Sequence, residues 1–205
     1  EEALENEALP NAVPILPLRN TVLFPGVVIP ITAGRDKSIK LIKDANNADK
    51  IIGVVAQRNE EVENPRAQDI HEMGTVAQIL RVLKMPDGNT TINIQGKKRF
   101  KIKSILEEQP YLKAEIESVN EEIPKKDDKE FLATIDSIKD LALQIIQENP
   151  NIPSEAAFAI KNIQTPSFLI NFVASNMNVS VVQKQKILTE LSLHQRALIC
   201  LKHMN

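Results

Sequence analysis

Near residue 120 the hydrophobic repeat of this 205-residue chain changes from two residues to between three and four, and one kind of secondary structure cannot carry both periods. From Val13 to about Val119, short apolar runs rich in Val and Ile are broken by clusters of Pro, Gly and Asn, the pattern of many short strands. The clearest unit is Thr75 to Met85, the turn sequence Pro86-Asp87-Gly88-Asn89, and Thr90 to Gln95, which predicts a hairpin. Phe100 and Ile102 then alternate with Lys101 and Lys103, and Leu112, Ala114 and Ile116 with Lys113, Glu115 and Glu117, so one face of each run is expected in a core. One stretch departs from this: from Gly34 to Asn46, Ile39, Ile42 and Ala45, with Leu41 beside them, fall at helical spacing. A sheet of many short strands with one inserted helix manages its edges best by curling into a barrel-like shape.

Asn120 to Asp128 is charged, contains Pro124 and lacks periodicity, which predicts a linker over 120–128. Beyond it Phe131, Ile135, Ile138, Ala142 and Ile145 form one helical stripe, stopped at Asn149-Pro150. A second helix follows Pro153-Ser154. Thr165-Pro166 supplies a cap and a proline at the first helical position of a third, carrying Phe168, Leu169, Phe172 and Val173. Ser180 and Ser192 can each cap a further helix, the latter with Gln195 three positions on. The last helix runs from about Leu193 to Asn205 without a closing glycine or proline, and the chain opens without methionine, so a longer parent polypeptide is expected. The resulting organisation is a tail over 1–12, disordered or extended, a β-rich part over 13–119, the linker, and a helical part over 129–205.

Charge and cysteine usage narrow the chemistry. A net charge of -2 leaves no field to hold a polyanion non-specifically, and the single cysteine, Cys200, allows neither an internal disulfide nor a multi-cysteine metal site. A reducing, cytosolic compartment is the expectation. No apolar run approaches the roughly 20 residues of a membrane-spanning helix, and the acidic amino end is the opposite of a signal peptide.

Catalytic templates fail at specific residues. Around Gly96-Lys97, Thr91 replaces the first glycine of a phosphate-cradling loop and Lys98 the hydroxyl, so a turn between two strands is the better reading. His71-Glu72 opens like a zinc-binding helix, but the second histidine would fall at Thr75. The three histidines, His71, His194 and His203, form no set with a serine in a Gly-x-Ser-x-Gly elbow. Cys200 among Leu198, Ile199 and Leu201 reads as a buried small hydrophobe. Glu60-Glu61, Glu107-Glu108 and Glu121-Glu122 read as solvated charge. The strip from Gly96 to Lys103 holds five cations with one aromatic, yet aromatics are only 3% of the chain, so a solvated sheet edge is favoured over a nucleic-acid platform.

The opening run from Val13 through Pro14-Ile15-Leu16-Pro17-Leu18-Arg19-Asn20-Thr21-Val22-Leu23-Phe24-Pro25 to Gly26 strongly resembles the start of the amino-terminal domain of bacterial Lon-type ATP-dependent serine proteases. Gly34-Arg35-Asp36-Lys37-Ser38, Gly74-Thr75-Val76-Ala77, Lys84-Met85-Pro86-Asp87-Gly88, Gly96 with Arg99, and Lys184-Gln185-Lys186-Ile187-Leu188 follow in that family's order and approximate spacing. A departure is Ile70-His71-Glu72-Met73, where the family more often has an aromatic and a β-branched residue. The resemblance implies an α+β fold: a partly open, PUA-like β-barrel with one short helix, then an α-helical bundle whose last helix runs toward an ATPase. It also implies that the phosphate-binding loop, with its ATP and Mg, and the Ser–Lys dyad of the peptidase lie beyond Asn205, leaving no catalytic residue, cofactor site or metal site in this chain.

The function implied is recognition of unfolded or degron-bearing protein substrates and assembly of a cytoplasmic homo-hexamer, the isolated chain being a monomer or weak dimer. The expected substrate-binding residues are Arg35, Asp36, Lys37 and Lys40, exposed around the first turns of the short helix, with apolar contact from Leu23, Phe24 and Met85. A free-standing interaction scaffold and an RNA-binding PUA-like domain are the competing classes, and salt-sensitive RNA binding separates the latter.

Overall fold

A computed structural model describes residues 9–204 apart from residues 149, 152 and 164. Residues 1–8 of the expected tail, Asn149 of the expected helix stop and the terminal Asn205 lie outside the described residues. The chain divides into two compact units, Glu1–Val119 and Asn120–Asn205.

Among the described residues the first unit is a mixed six-stranded sheet with one α-helix. Its elements are β1 (Ala12–Leu18), β2 (Val28–Ala33), α1 (Asp36–Asn46), β3 (Ile51–Ala56), β4 (Met73–Lys84), β5 (Thr90–Glu107) and β6 (Lys113–Ser118), with a short 3-10 turn at Ala67–Asp69. The strand order is β2-β5-β4-β3-β1-β6; β1 and β3 run parallel and the other pairs antiparallel. The 18-residue β5 is long enough to serve two neighbourhoods. Its first half lies between β2 and β4, and its second half also pairs with β6, which returns to β1. The pairings β1-β3-β4-β5-β6 therefore close on themselves, and among the described residues β2 pairs with β5 alone.

The hairpin of β4 and β5 forms where the turn residues place it, with Gly88 at φ +90, an angle that favours glycine. Two expectations change. Gly96 makes no turn, because β5 runs straight through it. Its N–H donates to the Val27 carbonyl, its own carbonyl accepts from the Gly26 N–H, and an added Cβ would collide with the Phe24 carbonyl oxygen. The glycine admits a neighbouring backbone; it does not reverse the chain. The basic strip likewise lies on no outer strand, since β5 sits within the sheet order with β4 on one side and β2, then β6, on the other.

Side-chain alternation explains why β1 and β3 are so apolar. Leu16, Leu18, Ile52 and Val54 face one core with Leu41 and Ile42 of α1, while Val13, Ile15 and Val55 face another built around Phe100 and Ala114. Strands buried on both faces read as continuous apolar runs. The helix stripe is as expected: Leu41, Ile42 and Ala45 are buried, and Ile39 packs against the same core.

The second unit contains α2 (Lys129–Glu148), α3 (Ser154–Asn162), α4 (Pro166–Asn176), α5 (Val181–Thr189) and α6 (Leu193–Met204). Phe131, Ile135, Ile138 and Ala142 are buried along α2, whereas Ile145, expected in the stripe, is 43% exposed. Ser180 accepts from the Gln183 N–H while the Gln183 side chain accepts from the Ser180 N–H, a reciprocal cap, and Ser192 accepts from the Gln195 N–H at 3.2 Å. The stretch read as the start of a linker is tied down: the Glu122 N–H donates to the Leu191 carbonyl and the Glu122 carbonyl accepts from the Leu193 N–H. Arg196 on α6, 1% exposed, donates to Glu121 Oε1 at 2.7 Å and to Asn171 Oδ1 on α4. Among the described residues no helix is long and apolar enough to cross a membrane.

Candidate functional site

The start of α1 is where expected polar residues and concave surface coincide. Arg35 stands just before the helix, and its guanidinium reaches back to the loop after β3. Nη2 donates to Gln57 Oε1 at 2.7 Å and Nη1 to the Glu63 carbonyl at 3.2 Å. Gln57 is 2% exposed and donates in turn to the carbonyls of Val62, at 2.9 Å, and Asn59, at 3.1 Å. A buried side-chain amide with both ends engaged holds its loop in one place. Burial, and then the like charge of Arg19, lower the Arg35 pKa from its ordinary value, and the group remains a cation.

Arg35 borders two cavities. One, of about 540 Å³, has an apolar wall including Ile15, Leu41 and Tyr111, and Asp36 and Lys37 at its margin. The other, of about 660 Å³, runs between residues 16–21 and residues 29–33, with Arg19 and Arg35 on its lining. Lys37 also borders a smaller cleft of about 170 Å³ shared with Arg66 and Glu108. Both larger volumes fall in the range of ligand-sized pockets, roughly 300–1,000 Å³.

The expected site residues therefore separate. Arg35, Asp36 and Lys37 meet at one cavity. Lys40 lies one turn on, exposed and 3.6 Å from Asp44 Oδ2, an oxygen that also accepts from the Tyr111 hydroxyl at 2.9 Å. Leu23 and Phe24, expected to offer apolar contact, are 2% and 0% exposed, so that expectation is corrected. The Leu23 carbonyl accepts from the buried Thr75 hydroxyl at 2.7 Å and the Phe24 backbone abuts Gly96, which draws both side chains inward. Met85, at the hairpin turn, is 44% exposed, and Val28, Leu80 and Leu83 are also exposed on the same group of strands.

Part of the basic strip faces acidic residues across the sheet. Lys103 lies 3.5 Å from Glu115, Lys101 faces Glu117 in register, and Arg99 is buried. Such pairing lowers the positive potential that a phosphate backbone would meet there. Burial, with the charge of Arg58, lowers the His71 pKa, and burial pushes the Cys200 thiol up to about 11. Among the described residues no three His, Cys, Asp or Glu side chains come together as a metal site. The arrangement suits docking by shape, hydrogen bonding and charge.

The lining of the larger cavity was not singled out from the sequence. Its signal was Pro30, a proline within a strand-like run, which marks a strand with one side free of the ladder.

Comparison with known proteins gives the same fold and a family. The family model for the substrate-binding domain of ATP-dependent protease La (LON) matches residues 12–205. The Lon protease of Flavobacterium johnsoniae is 65% identical over 205 residues, all of this chain and 25% of the relative. That of Cytophaga hutchinsonii is 48% identical over 188 residues, 92% of this chain and 23% of the relative. The chain thus spans about a quarter of the length of these curated relatives. The N-terminal domain of the Mycobacterium avium complex Lon protease superposes with a TM-score of 0.75 at 21% identity, covering 94% of this chain and 97% of that one. The Lon N-terminal domain protein from Xanthomonas campestris gives 0.62 at 16% identity, covering 93% and 97%. With a family match over nearly its whole length and a 65% identical relative that covers it completely, the chain belongs to the family of LON substrate-binding domains.

Proposed function

We propose that this chain is the recognition module of a Lon-type ATP-dependent serine protease, capturing unfolded or degron-bearing proteins for a catalytic machine carried elsewhere in a longer polypeptide. In this reading the parent is a cytoplasmic homo-hexamer, ATP and Mg belong to its ATPase part, and a Ser–Lys dyad cuts the peptide bond. The sheet unit is a partly open, PUA-like barrel, a reading supported by the ring of strand pairings, and the five helices act as a bundle that joins the module to the rest.

The observation that carries the proposal is the coincidence, at the start of α1, of Arg35, Asp36 and Lys37 on one cavity, with Arg35 also on a second, each cavity having apolar side chains in its wall. An unfolded chain differs from a folded one in its exposed apolar side chains and free backbone groups, and such a surface meets both. Arg35 holds the loop, Asp36 and Lys37 contact the ligand, Lys40 adds charge one turn away, and Met85 extends apolar contact at the hairpin turn. Six copies on one ring raise effective concentration, so each contact can be weak and release fast.

The test places Lys37→Glu and Met85→Ser together in a full-length Lon protease carrying this chain as its amino-terminal part. Degradation of an unfolded protein is expected to slow several-fold while cleavage of a short peptide and ATP hydrolysis stay unchanged. Equal degradation by the variant and the parent enzyme would remove this surface from the mechanism.

A further inference from the structure

The larger cavity has a lining that single faces of strands cannot produce. It touches every residue from 29 to 33 on β2 and every residue from 16 to 18 on β1. Successive side chains of a strand point to opposite faces, so a cavity that touches each residue of a run borders the edge of that strand. Among the described residues both edges are open there. β2 ends the sheet order and pairs with β5 alone. Residues 16–18 of β1 pair with β3 on one side, and on the other β6 takes only Ala12, Val13 and Pro14.

The phase of β2 can be read from its side chains. Thr32 and Thr91 are opposite one another with their hydroxyls 3.1 Å apart, the close approach of a pair whose backbone groups turn away from each other. Thr32 N–H and C=O then point from β5 toward the open edge. Pro30, two residues back, has the same phase, and this is the position where a strand tolerates a residue without N–H. The edge presents donors and acceptors at Val28 and Thr32 and only an acceptor at Pro30. Among the described residues the ionisable groups on the groove are Arg19 and Arg35, and none of that lining is a carboxylate.

We infer that the groove between β1 and β2 takes an extended segment of unfolded polypeptide by strand addition to β2, and that it favours segments bearing acidic side chains. The inference rests on the recognition role proposed above and names the chemistry of the ligand. Backbone pairing is blind to sequence, which suits a module that handles many substrates, and the two arginines add a charge preference. Pro30 removes one hydrogen bond from the ladder, which keeps the pairing short and reversible.

The test measures binding of a fluorescent peptide of alternating valine and glutamate to the 205-residue chain. Pro30→Val restores an outward donor and is expected to tighten binding about fivefold, the worth of one net hydrogen bond, while Thr32→Pro removes one and weakens it by about the same factor. Arg19→Glu weakens this peptide and strengthens its lysine counterpart. Should Thr32→Pro disturb the fold, the same peptide N-methylated at alternate residues tests the ladder on the unaltered protein, with one of its two registers expected to lose binding. Unchanged affinity across the Pro30→Val and N-methyl arms, or no binding of the peptide at all, overturns strand addition. A carboxymethylated unfolded protein run in parallel separates the two ideas: its binding unaffected by Pro30→Val leaves the recognition role standing without the β2 edge, and its failure to bind removes the role itself.

Discussion

Arg35 and Gln57 are joined by a 2.7 Å hydrogen bond between a half-buried guanidinium and a buried amide, and that bond fastens the start of α1 to the loop after β3. Its consequence is a division of labour. The arginine that sequence motifs place at the head of the site shapes the wall between two cavities, and the neighbouring groups are left to meet a ligand.

Arg35→Ala should lower the stability of the sheet unit by about 1–3 kcal/mol, because the Gln57 Oε1 and the Glu63 carbonyl lose a charged donor. Urea unfolding measures this, and Arg35→Lys, which cannot span both acceptors with one planar fork, should recover only part of it.

Lys40→Ala should change stability by under about 0.5 kcal/mol, since its contact with Asp44 is an exposed pair along one helix. The same urea titration applied beside Arg35→Ala checks the contrast, and equal losses from the two variants would contradict the assignment of Arg35 as the structural member.

Gly96→Ala should destabilise the sheet unit by about 1–3 kcal/mol or more, because its methyl group would press on the Phe24 carbonyl. Gly88→Ala meets nothing within 4 Å, so its cost is confined to a positive φ, about 1–2 kcal/mol. Thermal unfolding of the pair ranks a steric cost against a backbone one.

Arg196→Met should cost about 3 kcal/mol in the helical unit, leaving Asn171 without its partner while Glu121, 24% exposed, regains water. The loss is read from the helical circular dichroism signal in urea. Burial, offset in part by Glu121, lowers the Arg196 pKa, yet the group stays charged across the accessible pH range.

Cys200, fully buried with its thiol pushed up to about 11 from 9.0, should resist alkylation at pH 8 in the folded protein and react once unfolded, as mass spectrometry would show. A folded pKa above the unfolded one means the folded state keeps its proton longer. The stabilisation from this group is complete below pH 9.0 and fades as pH rises toward about 11.

What could be read from the sequence depended on whether a residue acts locally. The α1 stripe of Ile39, Ile42 and Ala45, the turn at Gly88 and the cap at Ser192 follow from spacing alone, because each is settled by neighbours a few positions away. Gly96 reads locally as a turn because its partner, the Phe24 backbone, lies far off in the chain. Leu23 and Phe24 share the same cause: apolar residues in a loop look available until Thr75 and Gly96 draw that loop inward. Ile145 is apolar and in phase, yet the last turns of α2 leave it exposed. Of the site, Arg35, Asp36 and Lys37 were legible as a polar cluster at a helix start. The β2 edge was not, since an open edge is a property of strand order, and only Pro30 hinted at it.

The most direct test of the central claim is a titration of the 205-residue chain with one protein in two states, native and permanently unfolded by reduction and carboxymethylation. Binding to the unfolded form alone, weakened by Lys37→Glu, is the predicted result. Equal binding to both forms, or none to either, would contradict the account.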